Sequence, residues 1–294
     1  MYVSMKEMLD KANREKYREK YAVMAINCFN LESAHATIAA AETKRAPIII
    51  DLLMEHMEKH LSRDELLPSI INMAEKASVD VALNLDHGKS EQYVIDSLNA
   101  GMLSVMMDAS SYPFDENVRI TKDVVELAHK KGATVEAEVG NMGAVAGSNF
   151  TQEDMYTKPD QAISFIKQTN VDCLAVSFGS SHGTMPVGYE PHFDFNIVKR
   201  IKKVTGKPLV LHGGSGSGNE NIRKSIEAGI NKINVGSDVM DAQSVAIFNQ
   251  LVEDKHSDFV NVMSSSIIAA KKVVEEYIEL SGSVDKAALQ TITQ

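Results

Sequence analysis

The chain has 294 residues, of which 44% are hydrophobic and 24% charged, and its formal net charge is −10. This composition is ordinary for a globular protein with a full core, and an acidic chain without a basic block is a poor partner for nucleic acid or an anionic membrane. No apolar run reaches the length of a membrane span, the N-terminal stretch lacks the apolar centre of a signal peptide, and two cysteines in apolar runs predict a reducing cytoplasm rather than a disulfide framework.

Short apolar runs alternate with longer helical patterns along the whole chain, and no linker rich in Pro, Gly or Ser divides it. The intervening helical patterns include LESAHATIAAAETKRA and ENVRITKDVVELAHKKG, and several of them end in Gly, which is typical of a helix C-cap. Eight apolar runs have the length and composition of buried strands: residues 21–27, 47–51, 79–86, 103–108, 134–139, 173–177, 208–211 and 232–235.

The alternation of buried strands with helices predicts a parallel sheet that is covered by helices. Eight such units favour one closed (β/α)₈ TIM barrel over residues 1–294, although the strand count alone leaves an open doubly wound sheet as the alternative. Residues 241–294 read as a helical extension, which we expect to cover the outside of the barrel or to meet a partner subunit.

Three histidines stand at the C-terminal ends of different predicted strands, and each is followed by glycine. They are His87 in NLDHG, His182 in FGSSHG and His212 in LVLHGG. A single histidine at a strand end is commonly no more than a hydrogen-bonded polar residue. Three histidines that converge on the face where barrels carry their active sites predict an open, three-ligand Zn²⁺ site. The other six histidines lack this placement and receive no predicted role.

Carboxylates also end three predicted strands. Asp86 directly precedes His87, Asp108 ends SVMMD, and Glu138 lies in EAEVG. Beside a cation they would suit proton transfer, support of the imidazoles or a second metal position, whereas the structural alternative is that they cap the next helix.

Two glycine-rich loops follow the seventh and eighth predicted strands, namely GGSGSG at 213–218 and NVGSD at 234–238. Loops at these two positions commonly form the phosphate site of a barrel, through backbone N–H groups and a hydroxyl near a helix N-terminus. Ser215 and Ser237 supply the hydroxyls, so a phosphate ligand is the favoured interpretation.

Taken together, DHG, EAEVG, SHG, PLVLHGGSG and GINKINVGSD resemble the zinc-dependent class II ketose-bisphosphate aldolases, and the resemblance covers nearly the whole chain. It implies a (β/α)₈ barrel that assembles as a homodimer or homotetramer and acts in carbohydrate metabolism. It also implies reversible cleavage of a ketose phosphate to dihydroxyacetone phosphate and an aldehyde, through an enediolate that Zn²⁺ stabilises.

The resemblance also implies roles for individual residues. His87, His182 and His212 match the zinc ligands, and Asp86 matches the acid/base group at the C4 hydroxyl. Asp108 and Glu138 match carboxylates around a second or displaced metal position. The matches to the substrate and phosphate site are Asn27, Gly183, Gly213, Gly214, Ser215, Asn234, Val235, Gly236 and Ser237.

One departure from the family pattern concerns the loop after the fifth strand. Many members carry a loop of GGxED type whose Glu moves a proton at C3, whereas Ala146 stands at that place here. Glu153 or Asp154 is the predicted substitute.

Other departures concern the end of the substrate that is far from the first phosphate. Leu53 replaces a serine that binds the distal phosphate in fructose-bisphosphate members, and Ile268 falls where a neighbouring subunit's arginine is common. Gly236 stands where those members have Asp and tagatose-bisphosphate members have Ala. Because leucine and isoleucine offer a phosphate no donor, we expect a ketose-1-phosphate aldolase. The alternatives are an ordinary fructose- or tagatose-bisphosphate aldolase, a zinc hydrolase, or a barrel that binds a sugar phosphate without catalysis.

Overall fold

The computed structural model describes residues 1–14, 20–140, 156–180 and 192–287. Within these ranges eight parallel strands close into a barrel in chain order, and β8 pairs with β1. The predicted (β/α)₈ barrel is therefore confirmed, and the open sheet is wrong. The strands are β1 Val23–Asn27, β2 Ile48–Leu53, β3 Val81–Gly88, β4 Ser104–Met107, β5 Thr134–Val139, β6 Cys173–Val176, β7 Leu209–Leu211 and β8 Ile230–Val235.

Helices cover the outside of the barrel between the strands, and several begin at a side-chain cap. Asn30 and Ser33 form a capping box at the start of α2, and Ser62 with Glu65 forms another before α4. The helices are α1 Met5–Arg14, α2 Leu31–Lys44, α3 Met54–Lys59, α4 Arg63–Lys76, α5 Glu91–Asn99, α6 Phe114–Lys130, α7 Pro159–Thr169, α8 Phe195–Thr205, α9 Asn219–Ala228, α10 Ser237–Glu253 and α11 Phe259–Ser281.

The N-terminal helix closes one end of the barrel. Met5, Met8 and Leu9 of α1 are buried against inward-facing apolar residues near the start of the strands, such as Ile49 and Val210. Because this end is filled with apolar side chains, polar groups can converge only in the middle of the barrel and at the opposite, C-terminal end.

The alternation of side chains along each strand stacks the barrel interior in layers. Above the apolar layer comes a fully buried polar layer that contains Asp51, Asn84, Glu136 and Lys232. Two residues further along three of these strands lie Asp86, Glu138 and Asn234 of the top layer. Asn27, at the end of β1, and His212, directly after β7, complete that layer.

The predicted C-terminal extension is helical, but it begins at Ser237 rather than near Asp241, because α10 follows the last strand directly. Helix α11 packs against α10 and α2 and so closes the outer layer. No helix among the described residues is long and apolar enough to cross a membrane.

Candidate active site

A cavity of about 760 Å³ opens at the C-terminal ends of the strands and brings together most of the predicted site residues. Predicted residues that line it are Asn27, Asp86, His87, Asp108, Glu138, Gly213, Ser215, Asn234, Gly236 and Ser237. Gly214 and Val235 lie beside it without lining it. His182, Gly183, Ala146, Glu153 and Asp154 lie outside the described residues.

The end of β3 presents two consecutive side chains to the same cavity, which regular strand alternation forbids. His87 has φ +47°, in the left-handed region, and the pairing of β3 with β4 shifts between Leu85 and Gly88. This local strain turns the chain so that both Asp86 and His87 face the cavity. A Cβ at Gly88 would lie 2.7 Å from the carbonyl oxygen of Met106, so glycine is required by the close approach of β4.

The imidazole of His87 is oriented by Asp108. Nδ1 of His87 lies 2.7 Å from a carboxylate oxygen of Asp108, whose other oxygen accepts hydrogen bonds from the hydroxyl and backbone N–H of Ser110. This contact directs Nε2 of His87 into the cavity, which is the arrangement of a carboxylate that supports a metal-ligating histidine.

His212 is oriented in the same manner, by a residue that the sequence reasoning missed. Nε2 of His212 lies 2.8 Å from Oε1 of Glu136, and Nδ1 points to Nε2 of His87 at 3.1 Å. Burial lowers the pKa of His212, which favours the neutral imidazole that metal binding requires.

The geometry of these side chains fits a divalent cation. Two tetrahedral zinc ligands at ordinary Zn–N distances would be separated by about 3.3 Å, close to the spacing of the two imidazole nitrogens. Two groups could hold an ion, with ligand atoms within 4.8 Å of one another: Asp86, His87 and His212, and His87 with Asp108 and Glu138.

The charge of the site also fits a cation. Burial lowers the pKa of His87, but the carboxylates of Asp86, Asp108 and Glu138 raise it more, to about 10. Three carboxylates around one imidazole therefore stabilise positive charge at this position.

Asp86 is held as a carboxylate by two asparagines. It is almost fully buried, and it accepts hydrogen bonds from Nδ2 of Asn27 at 2.8 Å and from Nδ2 of Asn234 at 3.3 Å. Burial raises the pKa of Asp86, but the neighbouring positive charges, that of His87 first, lower it to about 2. The side chain of Asn234 thus contacts Asp86, a contact that its place in a phosphate-type loop did not indicate.

The two predicted phosphate loops are joined by Ser215. Its hydroxyl oxygen accepts hydrogen bonds from the backbone N–H groups of Gly236 and Asp238, at the start of α10. Ser237 is the first residue of this helix and lines the cavity, so the helix N-terminus and both loops meet at one place. The side chain of Val235 is fully buried in the core, which leaves only its backbone to face a ligand.

Below the site lies a buried ion network that the sequence reasoning also missed. Nζ of Lys232 lies 2.8 Å from Glu136 and 3.2 Å from Asp51, and Nδ2 of Asn84 donates to Asp51 at 3.0 Å. Strand alternation contains a signal for the inward direction of Lys232 and Glu136. Lys232 lies two residues before Asn234, and Glu136 two before Glu138, so each pair shares the inward face.

One wall of the cavity is formed by α3 and the neighbouring loops, none of which carried a predicted role. His56, Glu55 and Glu58 line it, as do Lys89, Ser110 and Ser111. The sequence reasoning had set His56 aside because it follows no strand directly. The signal for this wall is that α3 starts at Met54, directly after Leu53 ends β2.

Comparisons with known proteins agree with this geometry. The family described as "Fructose-bisphosphate aldolase class-II" matches residues 3–286. The chain is 38% identical over 293 residues to the fructose-bisphosphate aldolase of Geobacillus stearothermophilus, covering 97% of this chain and 99% of that one. The crystal structure of the YdjI aldolase from Escherichia coli K12 superposes with a TM-score of 0.86 at 34% identity, covering 98% of this chain and 100% of that one.

Both the sequence and the fold match over nearly their full length. The cavity is lined by His87, Asp86, Asp108 and Glu138 of the resemblance, and His212 lies against His87. The chain therefore belongs to the class II fructose-bisphosphate aldolase family, and it is an aldehyde-lyase.

Proposed function

We propose that this aldolase cleaves a ketose 1-phosphate that carries no second phosphate, to give dihydroxyacetone phosphate and an unphosphorylated aldehyde. The observation that carries the proposal is the chemistry of the cavity wall beyond Asp86. Leu53, Glu55 and Glu58 line the side of this wall that β2 and α3 form, and Lys89, Ser110 and Ser111 line the loops beside it. A phosphate dianion gains from charged or hydroxyl donors, whereas Leu53, Glu55 and Glu58 offer an apolar side chain and two carboxylates. Lys59 of the same helix is paired with Glu55 at 2.6 Å.

We assign a single Zn²⁺ to His87, His182 and His212, with Asp108 and Glu136 orienting two of the imidazoles. When bound, the ion supplies Lewis-acid stabilisation of the negative charge that develops next to the substrate carbonyl. The distances around His87 and His212 support this assignment.

The chain's own residues bind the phosphate and move the proton. The loops around Gly213, Ser215 and Ser237 hold the phosphate of the dihydroxyacetone phosphate half. Asp86, ionised at neutral pH, accepts the proton of the C4 hydroxyl while the C3–C4 bond breaks. C4 thereby becomes the aldehyde carbon, and the electron pair of the broken bond remains on the C3 side. A proton must then reach C3, for which Glu153 or Asp154 is the predicted donor.

The second candidate is an ordinary fructose- or tagatose-bisphosphate aldolase. It is favoured by one observation, namely that relatives such as the Geobacillus stearothermophilus protein are called fructose-bisphosphate aldolase. Lys89, which is exposed at the cavity wall, would then be the cation for the second phosphate.

The two candidates are separated by the aldehyde that the enzyme accepts. Purified protein is incubated with dihydroxyacetone phosphate and either glyceraldehyde or glyceraldehyde 3-phosphate, with and without a chelator. We expect chelator-sensitive condensation, with the higher kcat/KM for the unphosphorylated aldehyde. A higher kcat/KM for glyceraldehyde 3-phosphate would establish the second candidate, and hydrolysis or binding without condensation would contradict both.

The metal assignment is tested by His212→Ala. The substitution removes one ligand from a preorganised set, so we expect both bound zinc and condensation to be lost. His256→Ala, at an exposed turn, is the matched control and should retain both. Full metal content in His212→Ala, measured by elemental analysis, would contradict the assignment.

We further propose that the chain forms a homodimer or homotetramer through its helical tail. Phe248 of α10 is 65% exposed and Phe259 of α11 is 73% exposed, and Val245, Val252 and Val260 are also exposed nearby. Helices α10 and α11 pack against each other, and large exposed apolar side chains on neighbouring helices are typical of an interface. Phe248→Glu should shift the molar mass measured by light scattering toward that of the monomer. Tyr112→Glu changes an exposed aromatic residue in the loop between β4 and α6, and it should leave the mass unchanged. An unchanged mass would refute the interface.

We place the protein in the cytoplasm, because Cys28 and Cys173 are free and buried.

A further inference from the structure

A histidine on the cavity wall carries a further inference, which rests on the proposed function. His56 lies on α3, and no residue of this helix has a predicted catalytic role. It nevertheless lines the same cavity as Asp86. We propose that His56 determines specificity for the aldehyde half of the substrate, by donating a hydrogen bond from its imidazole to a hydroxyl oxygen of that half. The proposed substrate class is therefore a ketose 1-phosphate with hydroxyls beyond C4.

The position of His56 follows from the barrel register. Leu53 ends β2 and pairs with Asp86 of β3, so α3 begins directly beside the group that we assign to the C4 hydroxyl. The phosphate loops follow β7 and β8, and they line the same cavity as α3. A substrate whose phosphate lies in those loops and whose C4 hydroxyl lies at Asp86 can therefore reach α3 with its remaining carbons.

The hydrogen bonding of the ring leaves one nitrogen for a ligand. Nδ1 of His56 is buried, and among the described residues it has no hydrogen-bond partner. A buried N–H without an acceptor is more costly than a buried lone pair, so the proton belongs on Nε2. With Nδ1 covered by protein, Nε2–H is the group of this ring that can meet a substrate oxygen in the cavity.

The ring is held in place and uncharged. Its centroid lies 6.2 Å from that of Phe29 with the planes at 84°, an edge-to-face contact that restricts rotation of the imidazole. Burial lowers the pKa of His56, and the charges of Glu55 and Asp86 oppose this effect without reversing it. A neutral, fixed donor between carboxylates suits an uncharged hydroxyl, whereas an anionic group would be repelled by Glu55 and Glu58.

The test compares three variants. His56→Phe keeps an aromatic ring against Phe29 and removes the donor, and His56→Gln returns an amide N–H near the position of Nε2. His60→Phe is the matched control, because His60 also lies against Phe29, with ring centroids 6.3 Å apart, but does not line the cavity.

The readout is the ratio of kcat/KM for condensation of dihydroxyacetone phosphate with glyceraldehyde to that with acetaldehyde, which has no hydroxyl. Loss of one directed hydrogen bond should lower this ratio about tenfold or more in His56→Phe, with partial recovery in His56→Gln. Exchange of the C3 proton of dihydroxyacetone phosphate with deuterium involves no aldehyde, and it should fall far less than the condensation with glyceraldehyde.

Each other outcome overturns the proposal in a recognisable way. An unchanged ratio in His56→Phe would refute the role of His56 alone. An equal fall of the ratio in His60→Phe would show that the aromatic cluster around Phe29, rather than the donor, controls selectivity. Wild-type protein without exchange or condensation would refute the proposed function, and the role of His56 with it.

Discussion

Replacement of Glu136 by glutamine tests whether the buried network supports both the barrel and the site. Glu136 is fully buried and contacts Lys232 at 2.8 Å and His212 at 2.8 Å. Glutamine keeps the shape and can still accept one hydrogen bond through its carbonyl oxygen. It removes the charge, however, and it turns an NH₂ group toward one of the two donors, which are Nζ of Lys232 and Nε2–H of His212. Of the two carboxylates that pair with the buried ammonium of Lys232 in the described part of the chain, Asp51 then remains, at 3.2 Å.

The expected loss of stability follows from the burial of the partners. Removal of one partner from a fully buried ion pair costs roughly 3–5 kcal/mol. Because Asp51 remains, we expect the lower end, about 3 kcal/mol. For a chain of this length the unfolding entropy at Tm is about 0.6 kcal/mol/K, so Tm should fall by about 5 °C. Bound metal should also weaken, by about 10- to 100-fold, because His212 loses the carboxylate that orients it.

The assay is thermal unfolding together with metal competition against a chromophoric chelator. Glu116→Gln is the matched control, since Glu116 pairs with Arg119 at the surface and such pairs contribute at most about 1 kcal/mol. A double-mutant cycle with Lys232→Met then isolates the coupling between the two buried charges. A Tm of Glu136→Gln that fell no further than that of Glu116→Gln would refute the reasoning.

Two further substitutions test the top layer of the barrel. Asp108→Asn removes the charge that orients His87, so metal affinity in the same competition assay should fall by about tenfold or more, and equal affinity would contradict a supporting role for this carboxylate. Gly236→Ala places a Cβ 2.7 Å from Oδ1 of Asn27, so the asparagine must move from Asp86. We expect kcat to fall about tenfold with Tm nearly unchanged, and an unaffected kcat would show that the Asn27 contact is dispensable.

Much of the architecture was predictable because strand and helix signals are local. The eight apolar runs that predict strands all form strands, with bounds that differ by a few residues. β2 and β3 each end two residues later than predicted, β8 begins two residues earlier, and at β3 the pairing with β4 continues as far as Gly88. The predicted end of β3 depends on where the apolar run stops, whereas the observed end depends on backbone hydrogen bonds to the neighbouring strand.

The candidate site was predictable to the extent that one rule covers it. Parallel strands end on one face, so residues at those ends converge without any knowledge of distances. This rule brought Asp86, His87 and His212 together correctly. It did not reveal Lys232 or Glu136, although the two-residue period of a strand would have placed both on the inward face.

The sequence by itself determined the order of strands, the polar residues at their ends and the glycine-rich loops of β7 and β8, because each of these is a property of a short stretch of chain. Only the tertiary structure decided which groups contact each other across the barrel. Barrel closure sets the left-handed backbone at His87, the Glu136 contact of His212 and the place of His56 on the same cavity as Asp86. Closure sets distances between residues far apart in the chain, and no local pattern of residues encodes those distances.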